Sequence, residues 1–546
     1  NRTYQQGADA AYWFPHGDWE LHSPKCLETA QGRLLFHDYE PIEGGLVEIK
    51  PCTLIFLSQE LKSDVEMQKR RAFVLRAPQG ALLRFDAPID LKQAKLGKLI
   101  GGELLGEVHI HSGQRLPGPE DDLIVTTRDV LLTETQITTP HLMEFRFGSH
   151  HGRGRGVIVD LDQGATANGE TEVRGFRSLT LKEQVFVHLQ PSGRDDVFPG
   201  GKPAAAPAST GADADKRRAP VEIRCAGPFT FDQVRNLAVF RNQVDVVRLP
   251  AAGEKDQLNG DVLTVYFESP TVDATGLAAN ENVVRLEQGE GPPTVVAAKK
   301  LEPRRIEVAG DPVVIRAPSN GVQARAQFVE HDVVSRMVRL RDAVEAIVRQ
   351  VDREIRAPEL HFLPDADGPY GTFTAIGAGR LEGASADRPQ QTFAAQWSRR
   401  LFFRKHEGEY VLSAEGDARV ASQGKDSLRA DELHLWFREA PPRPATLAST
   451  PDGGPSAAGK KTELEPDRLL AFGSVAFESP QTTGDVRRLE AWFEPTGPTG
   501  LPRRASYFPG AALGATVRVF VSAEPLRGPE PTPAGFPPSP SAPSTS

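Results

Sequence analysis

Histidine side chains are the clearest candidates for chemistry in this sequence, because several of them stand close together along the chain. His109 and His111 are two residues apart, and His141 precedes the pair His150-His151. Two histidines separated by one residue on a strand project from the same face, which is the first requirement of a metal site. The sequence singles out no third ligand, so we interpret these residues as strand histidines and predict no metal site.

Other patterns associated with catalysis are incomplete. The carboxylate pairs Asp121-Asp122 and Asp160/Asp162 are of the kind that glycosidases use, but sequence spacing does not set their separation in space. The glycine-rich stretch 377–383 lacks the spacing of a dinucleotide-binding loop and indicates a turn between strands. No G-x-S-x-G motif is present. We therefore predict no catalytic residues, no cofactor and no enzymatic activity.

Charge argues against a nucleic-acid partner. The sequence contains 64 Lys and Arg against 73 Asp and Glu, a formal net charge of −9. Nucleic-acid binding requires a clustered basic face. The basic, glycine-rich stretch 148–156 lies between two strand-like segments and indicates a hairpin loop.

Cysteine content and hydropathy bear on the compartment. Three cysteines, Cys26, Cys52 and Cys225, are too few for a disulfide scaffold. Cys26 and Cys52 could pair in an oxidising compartment, or both could be unpaired buried thiols. The chain starts at Asn1 with no apolar signal segment, and no stretch approaches the ~20 apolar residues that cross a bilayer. We expect a soluble chain from which any signal or anchor has been removed or omitted.

The elements that carry these residues are predicted β-strands, and one strand phrase recurs. In its clearest copy Leu433, Leu435 and Phe437 alternate with His434 and Trp436. This two-residue period is typical of a strand with two different faces. Copies of the phrase occupy residues 261–268, 356–362, 429–439 and 487–494. Their irregular spacing predicts a stack of variable-length β-layers rather than a strict solenoid.

Turn residues and low-complexity stretches divide the chain. The 50 glycines and 45 prolines predict frequent turns and few long helices. We predict an N-terminal arm with the first strands at 1–66, β modules at 67–190, 221–370, 371–439 and 465–522, flexible segments at 191–220 and 440–464, and a disordered Pro/Ser-rich tail at 523–546.

The segment 333–353 allows two interpretations. Its apolar residues fit the stripe of an amphipathic helix. The strand-like segments on both sides favour two strands that turn near Arg341-Asp342. We favour strands, because an isolated pattern carries less weight than its context.

Several segments resemble a known family. Residues 310–315, 322–326 and 355–362 resemble the OstA-like repeat of the LptA and LptC periplasmic proteins of lipopolysaccharide transport, and residues 121–125 resemble the LptC version. The resemblance covers about residues 70–190 and 300–440, and 465–521 more weakly. It implies an all-β fold of tandem antiparallel β-jellyroll modules, also called β-tacos.

The resemblance also implies a function. The protein would be a non-enzymatic protein of the periplasm or cell envelope, and an N-terminal segment outside this chain could anchor it. It would bind or relay lipopolysaccharide or a related lipid in an apolar groove, and would join other β-jellyroll transport proteins through edge strands. The groove candidates are the apolar positions of the repeated phrase: Leu263, Val265, Phe267, Leu360, Phe362, Leu433, Leu435, Phe437, Leu489 and Phe493.

Two other functions compete with this one. Apolar strand faces usually form the closed core of a β-sandwich, so the same modules could serve as a structural scaffold of the envelope. The aromatic residues on the other face of the phrase, Tyr266, Trp436 and Trp492, suggest a carbohydrate-binding β-protein.

Overall fold

The chain forms an all-β, antiparallel structure, which confirms the all-β class that was predicted. The computed structural model describes residues 13–28, 32–43, 45–56, 73–86, 99–112, 123–165, 171–190, 219–249, 253–268, 302–365, 370–385, 388–422, 426–439, 464–480, 482–494 and 516–520. Within these ranges the helical elements are two short 3-10 helices, Trp19–Leu21 and Pro318–Asn320. None of the helices in the described ranges has the length and hydropathy to span a membrane.

The chain divides into two compact units, residues 1–351 and 352–546. The strands of unit 1 are β1 (Lys25–Glu28), β2 (Gly32–Ile42), β3 (Leu46–Phe56), β4 (Phe73–Ala77), β5 (Ala81–Phe85), β6 (Leu99–Ser112), β7 (Leu123–Thr133), β8 (Gln136–Phe147), β9 (His150–Ala165), β10 (Thr171–Leu189), β11 (Val221–Cys225), β12 (Phe229–Asp232), β13 (Leu237–Arg248), β14 (Asp256–Glu268), β15 (Glu302–Ala317), β16 (Val322–Asp332) and β17 (Val338–Gln350).

The strands of unit 2 are β18 (Arg353–Leu363), β19 (Thr372–Ile376), β20 (Gly379–Ser385), β21 (Arg388–Trp397), β22 (Arg400–His406), β23 (Glu409–Ser422), β24 (Asp426–Glu439), β25 (Leu464–Ser479), β26 (Thr482–Glu494) and β27 (Thr516–Phe520). In each unit, strands that follow one another in the chain pair as an antiparallel meander. At some positions two short strands share the place of one long strand, as β11 and β12 do between β10 and β13.

The pairing is interrupted near the middle of the strands, and the interruptions of neighbouring strands lie side by side. We call this line of bulges and breaks the seam. In unit 1 it passes through Lys50-Pro51, Gly80, Gly106, Asp129, Gly156, Gln184, Gly227-Pro228, Asn242-Gln243, Asp261 and Gly310-Asp311-Pro312, and in unit 2 through Gly377, Ser398-Arg399, Gly416-Asp417, Asp431 and Gly473. Many of these residues have positive φ, and proline supplies no amide to a ladder.

Carboxylates at the seam replace the hydrogen bonds that the register shifts remove. The carboxylate of Asp261 accepts from the backbone N–H of Asp311 at 3.3 Å, and that of Asp431 accepts from Ser474 at 3.2 Å. The backbone N–H of Gly106 donates to the carboxylate of Asp129 at 2.7 Å. Unpaired amides at bulges therefore keep acceptors.

The first strands of unit 1 fold back on themselves about the seam. Leu54 and Leu75 lie on one side of it, and Val47 and Leu83 lie on the other. All four belong to one buried apolar cluster. The two halves of these strands therefore pack face to face around a common core.

The outer face of the same strands is covered by the N-terminal arm, residues 13–21. Its aromatic side chains belong to a second apolar cluster, which includes Ile55 and Val74. The arm is fastened by Glu20, whose buried carboxylate accepts from Arg76 at 2.8 and 2.9 Å and from the Thr53 hydroxyl at 2.8 Å. Because a buried carboxylate needs paired donors, these bonds fix where the arm lies.

None of the three cysteines takes part in a disulfide among the described residues. Cys26 pairs across strands with Leu35, and Cys52 pairs with Phe36. Leu35 belongs to the outer cluster and Phe36 to the inner one. Cys26 and Cys52 therefore lie on opposite faces of the sheet, and a disulfide between them cannot form.

The other local predictions have mixed outcomes. Residues 338–350 are a strand, as favoured, but the predicted turn near Arg341-Asp342 is wrong, because these residues lie at the seam within β17. The hairpin predicted at 148–156 is present, but its turn is limited to Gly148-Ser149, and residues 150–156 belong to β9 rather than to a loop. Of the stretch 377–383, which was predicted to be a turn, residues 377–378 lie between β19 and β20, whereas residues 379–383 belong to β20.

The predicted module boundaries remain predictions. The segment 440–464, which was predicted to be flexible, and the tail 523–546 lie outside the described residues except for Leu464, as does segment 191–220 up to residue 218.

Substitution at the seam tests the fold. A Cβ at Gly227, which has φ +110°, would lie 2.1 Å from the backbone oxygen of Lys182, whereas a Cβ at Gly253, with φ +101°, would meet nothing within 4 Å. We expect Gly253→Ala to cost about 1–3 kcal/mol from backbone strain. Gly227→Ala must cost more, since its backbone neighbour has to move. Urea unfolding of both variants followed by circular dichroism measures this difference, and equal costs would contradict the seam geometry.

Burial of Cys52 has a consequence for pH. Desolvation raises the pKa of this thiol from 9.0 to about 12. The folded state thus holds the proton more tightly than the unfolded chain does, so the contribution to stability is complete below pH 9 and is lost as pH rises from about 9 to about 12. At pH 9 we expect iodoacetamide to alkylate Cys52 only after denaturation, as measured by peptide mass spectrometry. Alkylation of folded protein at the rate of the denatured chain would disprove it.

Candidate functional site

Unit 2 carries a continuous apolar row on the inner face of its sheet, next to the seam. Direct cross-strand pairs join leucine and alanine in alternation over seven strands. The row consists of Leu360, Ala375, Leu401, Ala414, Leu433, Ala471 and Leu489, and all of these residues are buried. We call it the Leu–Ala row. Alternation of a large and a small side chain lets the facing layer interdigitate with it.

A second row runs parallel to the first, two residues further from the seam. Its members are Phe362, Phe373, Phe403, Leu412, Leu435, Leu469 and Ala491. Phe362 is 39% exposed at one end of the row, while Ala491 is fully buried at the other. We call this the open row, because its apolar face becomes accessible from β24 towards β18.

An aromatic group continues the open row to the end of the strands. Phe403 stacks on Tyr410 with ring centroids 5.6 Å apart, and Tyr370 and Phe437 approach these rings edge-on at 5.4 to 6.5 Å. Tyr410 is only 1% exposed, and its hydroxyl has no hydrogen-bond partner within the described structure. Burial, and then the carboxylates of Glu439 and Asp365, raise the pKa of Tyr410. The inner face thus contains a buried polar atom that the surrounding described residues leave without a hydrogen bond.

Unit 1 has its own copy of the inner rows. Leu263 and Val265 are buried and pair with Val308 and Ile306. Phe267 is half-buried, with its ring centroid 6.2 Å from that of Phe231. The apolar positions of the phrase therefore lie on the inner face in this unit as well.

The structure brings the groove candidates together within each unit. In unit 2 the inner face holds Leu360, Phe362, Leu433, Leu435, Phe437, Leu489 and Phe493, and in unit 1 it holds Leu263, Val265 and Phe267. Phe373, Phe403 and Tyr410 were not predicted from the sequence, because their strands β19, β22 and β23 lack the full phrase.

The phrase is the first strand of a two-strand repeat. The segment Glu302-Pro303-x-Arg305 follows one copy, and Glu465-Pro466-x-Arg468 follows another. Phe267 pairs with Pro303 after a register shift, and Phe437 pairs with Pro466 after a shift at the same point. The seam bonds of Asp261 and Asp431 described above are equivalent too. The E-P-x-R motif was the signal in the sequence that could have found this second strand.

One ion pair appears in both copies with its charges exchanged. Glu268 on β14 pairs with Arg304 on β15. At the equivalent positions Arg438 on β24 pairs with Asp467 on β25 at 2.8 Å. The two copies preserve the interaction while reversing which strand supplies the positive charge.

On the outer face, an arginine lies over the aromatic ring of the phrase in both copies. The guanidinium of Arg305 is 4.2 Å from the ring centroid of Tyr266, and that of Arg468 is 4.1 Å from Trp436. Each pair is a direct cross-strand pair. Such cation–π contacts bind the two strands of the repeat to each other.

A serine, a histidine and a carboxylate lie together on the outer face of β23 and β24. The Ser413 hydroxyl is 2.8 Å from Nδ1 of His434, and Nε2 of His434 is 3.8 Å from Glu432. Ser413 is only 1% exposed, so a substrate carbonyl cannot reach its oxygen. Burial lowers the pKa of His434. We assign these bonds to strand pairing.

The histidines and carboxylates considered at the outset are dispersed. His109 approaches Glu107 at 3.4 Å, and His141 approaches Asp129 at 3.2 Å. No group of three or more potential metal ligands occurs among the described residues. Asp160 accepts hydrogen bonds from Gln136 at 2.8 Å and from Ser178 at 2.5 Å. Asp121-Asp122 lies outside the described residues.

An open depression lies on the other side of the seam in unit 2. Its lining combines Leu428 and Phe477 with the charged side chains of Arg419, Arg429 and Asp485. Asp417 beside it forms ion pairs with Arg419 at 2.8 Å and with Arg429 at 2.6 Å, and these bonds lower its pKa. The neutralised lining and mixed polarity make it a weaker candidate than the open row.

Comparison with known proteins adds no identification. No protein-family model matches the chain, and no curated protein matches it.

The unpartnered hydroxyl of Tyr410 leads to a testable prediction about stability. A buried polar group without a partner costs about 1–3 kcal/mol, so Tyr410→Phe should stabilise unit 2 by about 1 kcal/mol. Tyr266 is the matched control, since its hydroxyl donates to Glu307 at 3.0 Å. We expect Tyr266→Phe to destabilise unit 1, and urea midpoints report both effects. A loss of stability in Tyr410→Phe would show that the hydroxyl has a partner.

Proposed function

We propose that this protein is a non-enzymatic protein of the periplasm or cell envelope that binds or relays lipopolysaccharide or a related lipid. In this proposal it belongs with the OstA-like proteins of lipopolysaccharide transport, and its strands build tandem β-jellyroll modules. The observation that carries the proposal is the open row, which begins beside a buried apolar row and becomes accessible at Phe362.

Acyl chains fit this surface by burial of area alone. Each methylene that leaves water gains about 0.8 kcal/mol, so burial of about ten methylenes of an acyl chain on the open row gains about 8 kcal/mol before the entropic cost of binding is subtracted. No matching charge is required, and the net charge of −9 is therefore compatible with an anionic lipid.

The partners in this proposal are other β-jellyroll envelope proteins. Among the described strands, β27 pairs with β26 only, so one side of β27 is open to edge pairing within that part of the structure. A strand edge with unpaired amides and carbonyls can accept a strand from another chain.

A structural scaffold is the second candidate. It is favoured by the burial of Leu360, Leu433 and Leu489 within the protein itself. In that case the inner face is a closed core, and the protein functions in assembly.

Native mass spectrometry of protein produced in an envelope compartment, with lipid extraction from the same sample, tests the proposal. We expect lipid A-type species in the wild type, and their loss in Leu435→Asp and Phe362→Asp because a carboxylate in the open row repels acyl chains. Val344→Asp is the control, since Val344 is 76% exposed away from this row. Circular dichroism checks that each variant is folded.

The outcomes separate the two candidates. If lipid remains bound to folded Phe362→Asp, the lipid site lies outside the open row. A lipid-free wild type that forms tight oligomers favours the scaffold and rejects the lipid proposal.

A further inference from the structure

The outer faces of the two repeat copies differ at one position, and this difference decides whether an arginine has a carboxylate beside it. In unit 1, Glu307 lies beside the cation–π pair, with its carboxylate 3.1 Å from Arg305 and 3.0 Å from the Tyr266 hydroxyl. Arg305 is thereby neutralised within the protein.

In unit 2 the equivalent of Glu307 is Leu470. Register shows the equivalence, because Glu307 pairs with Thr264 and Leu470 with His434, the same position of the phrase. Arg468 therefore stacks on Trp436 without the carboxylate that its counterpart has.

The surrounding acidic groups are already paired. Asp467 and Glu465 interact with Arg438, and Glu490 interacts with Arg488. Within the part of unit 2 that the structure describes, no carboxylate lies at ion-pair distance from Arg468. Its positive charge is thus available to an external anion.

A second tryptophan flanks this arginine. Arg468 pairs directly with Trp436 on β24 and with Trp492 on β26, so the three side chains form one line across adjacent strands. Trp492 is 37% exposed. Strands are about 4.8 Å apart, so the backbone positions of the two tryptophans are about 10 Å apart, and the Arg468 guanidinium lies 4.1 Å from the Trp436 ring centroid.

We propose that Trp436, Arg468 and Trp492 form a binding site for a phosphorylated sugar. The indole surface packs against the C–H groups of a pyranose ring, and the planar guanidinium donates two parallel hydrogen bonds to phosphate oxygens. A single unneutralised arginine fits one phosphate, whereas a nucleic acid would need a row of them.

The site lies on the face opposite the open row. Trp436 is on the outer face of β24, between Leu435 and Phe437 on the inner face. The inference therefore stands independently of lipid binding, and variants at the two faces distinguish them.

Titration of the full chain with glucose 6-phosphate, followed by tryptophan fluorescence and calorimetry, tests the site. We expect Arg468→Leu and Leu470→Glu to weaken binding at least tenfold. Leu470→Glu supplies the carboxylate that unit 1 has, and so neutralises Arg468 without removing it. Arg305→Leu is the matched control and should bind like the wild type, because Arg305 is already paired with Glu307.

Glucose and inorganic phosphate complete the experiment. Weaker binding of both than of glucose 6-phosphate, together with the expected losses, supports the site. Equal binding of inorganic phosphate would show an adventitious anion only, and equal binding of glucose would show that Arg468 has no role. No binding of glucose 6-phosphate, or unchanged binding by folded Leu470→Glu, overturns the proposal.

Discussion

The structure depends on keeping one face of every strand buried while the strand bends at the seam. On β14, Leu258 and Leu263 are both buried, although they are five residues apart. In an uninterrupted strand an odd separation places side chains on opposite faces. The bulge beside Asp261 shifts the alternation of side chains by one residue, so that the same face stays buried on both sides of the seam. Without a matching bulge on each neighbour, a one-residue slip would turn the inner row towards solvent.

Much of the fold could be predicted from alternation, because the repeated phrase carries a clear two-residue period. The seam could not be predicted, since polar residues such as Asp261 and Asp311 resemble ordinary outward positions until their backbone partners are known. The same effect explains the ambiguity of segment 333–353. Val344 and Val351, which contribute to its helical stripe, are 76% and 74% exposed and pack in no core. Likewise, the sheet faces on which Cys26 and Cys52 lie could be assigned only once the strand register was known.

The candidate site was predicted in part. The apolar positions of the phrase identified the inner face of β14, β18, β24 and β26, but the strands between them contribute its aromatic residues without repeating the phrase. Tyr410 and Phe403 meet only through the pairing of β22 with β23. The outer face shows the opposite tendency: its aromatic positions are repeated, whereas the neighbour of the arginine changes from Glu307 to Leu470. The inner face is constrained by packing, and the outer face is free to diverge in charge.

The exchanged ion pair bears on how two similar copies fold within one chain. Strands β14 and β24 are alike, and either could in principle pair with the partner strand of the other during folding. Such a mispaired ribbon would bring Glu268 near Asp467 and Arg438 near Arg304 in place of the two ion pairs, and neighbouring like charges destabilise a strand pair. The exchanged charges thus favour pairing of each strand with its own neighbour. They disfavour the misassembly to which repeated sequences are prone.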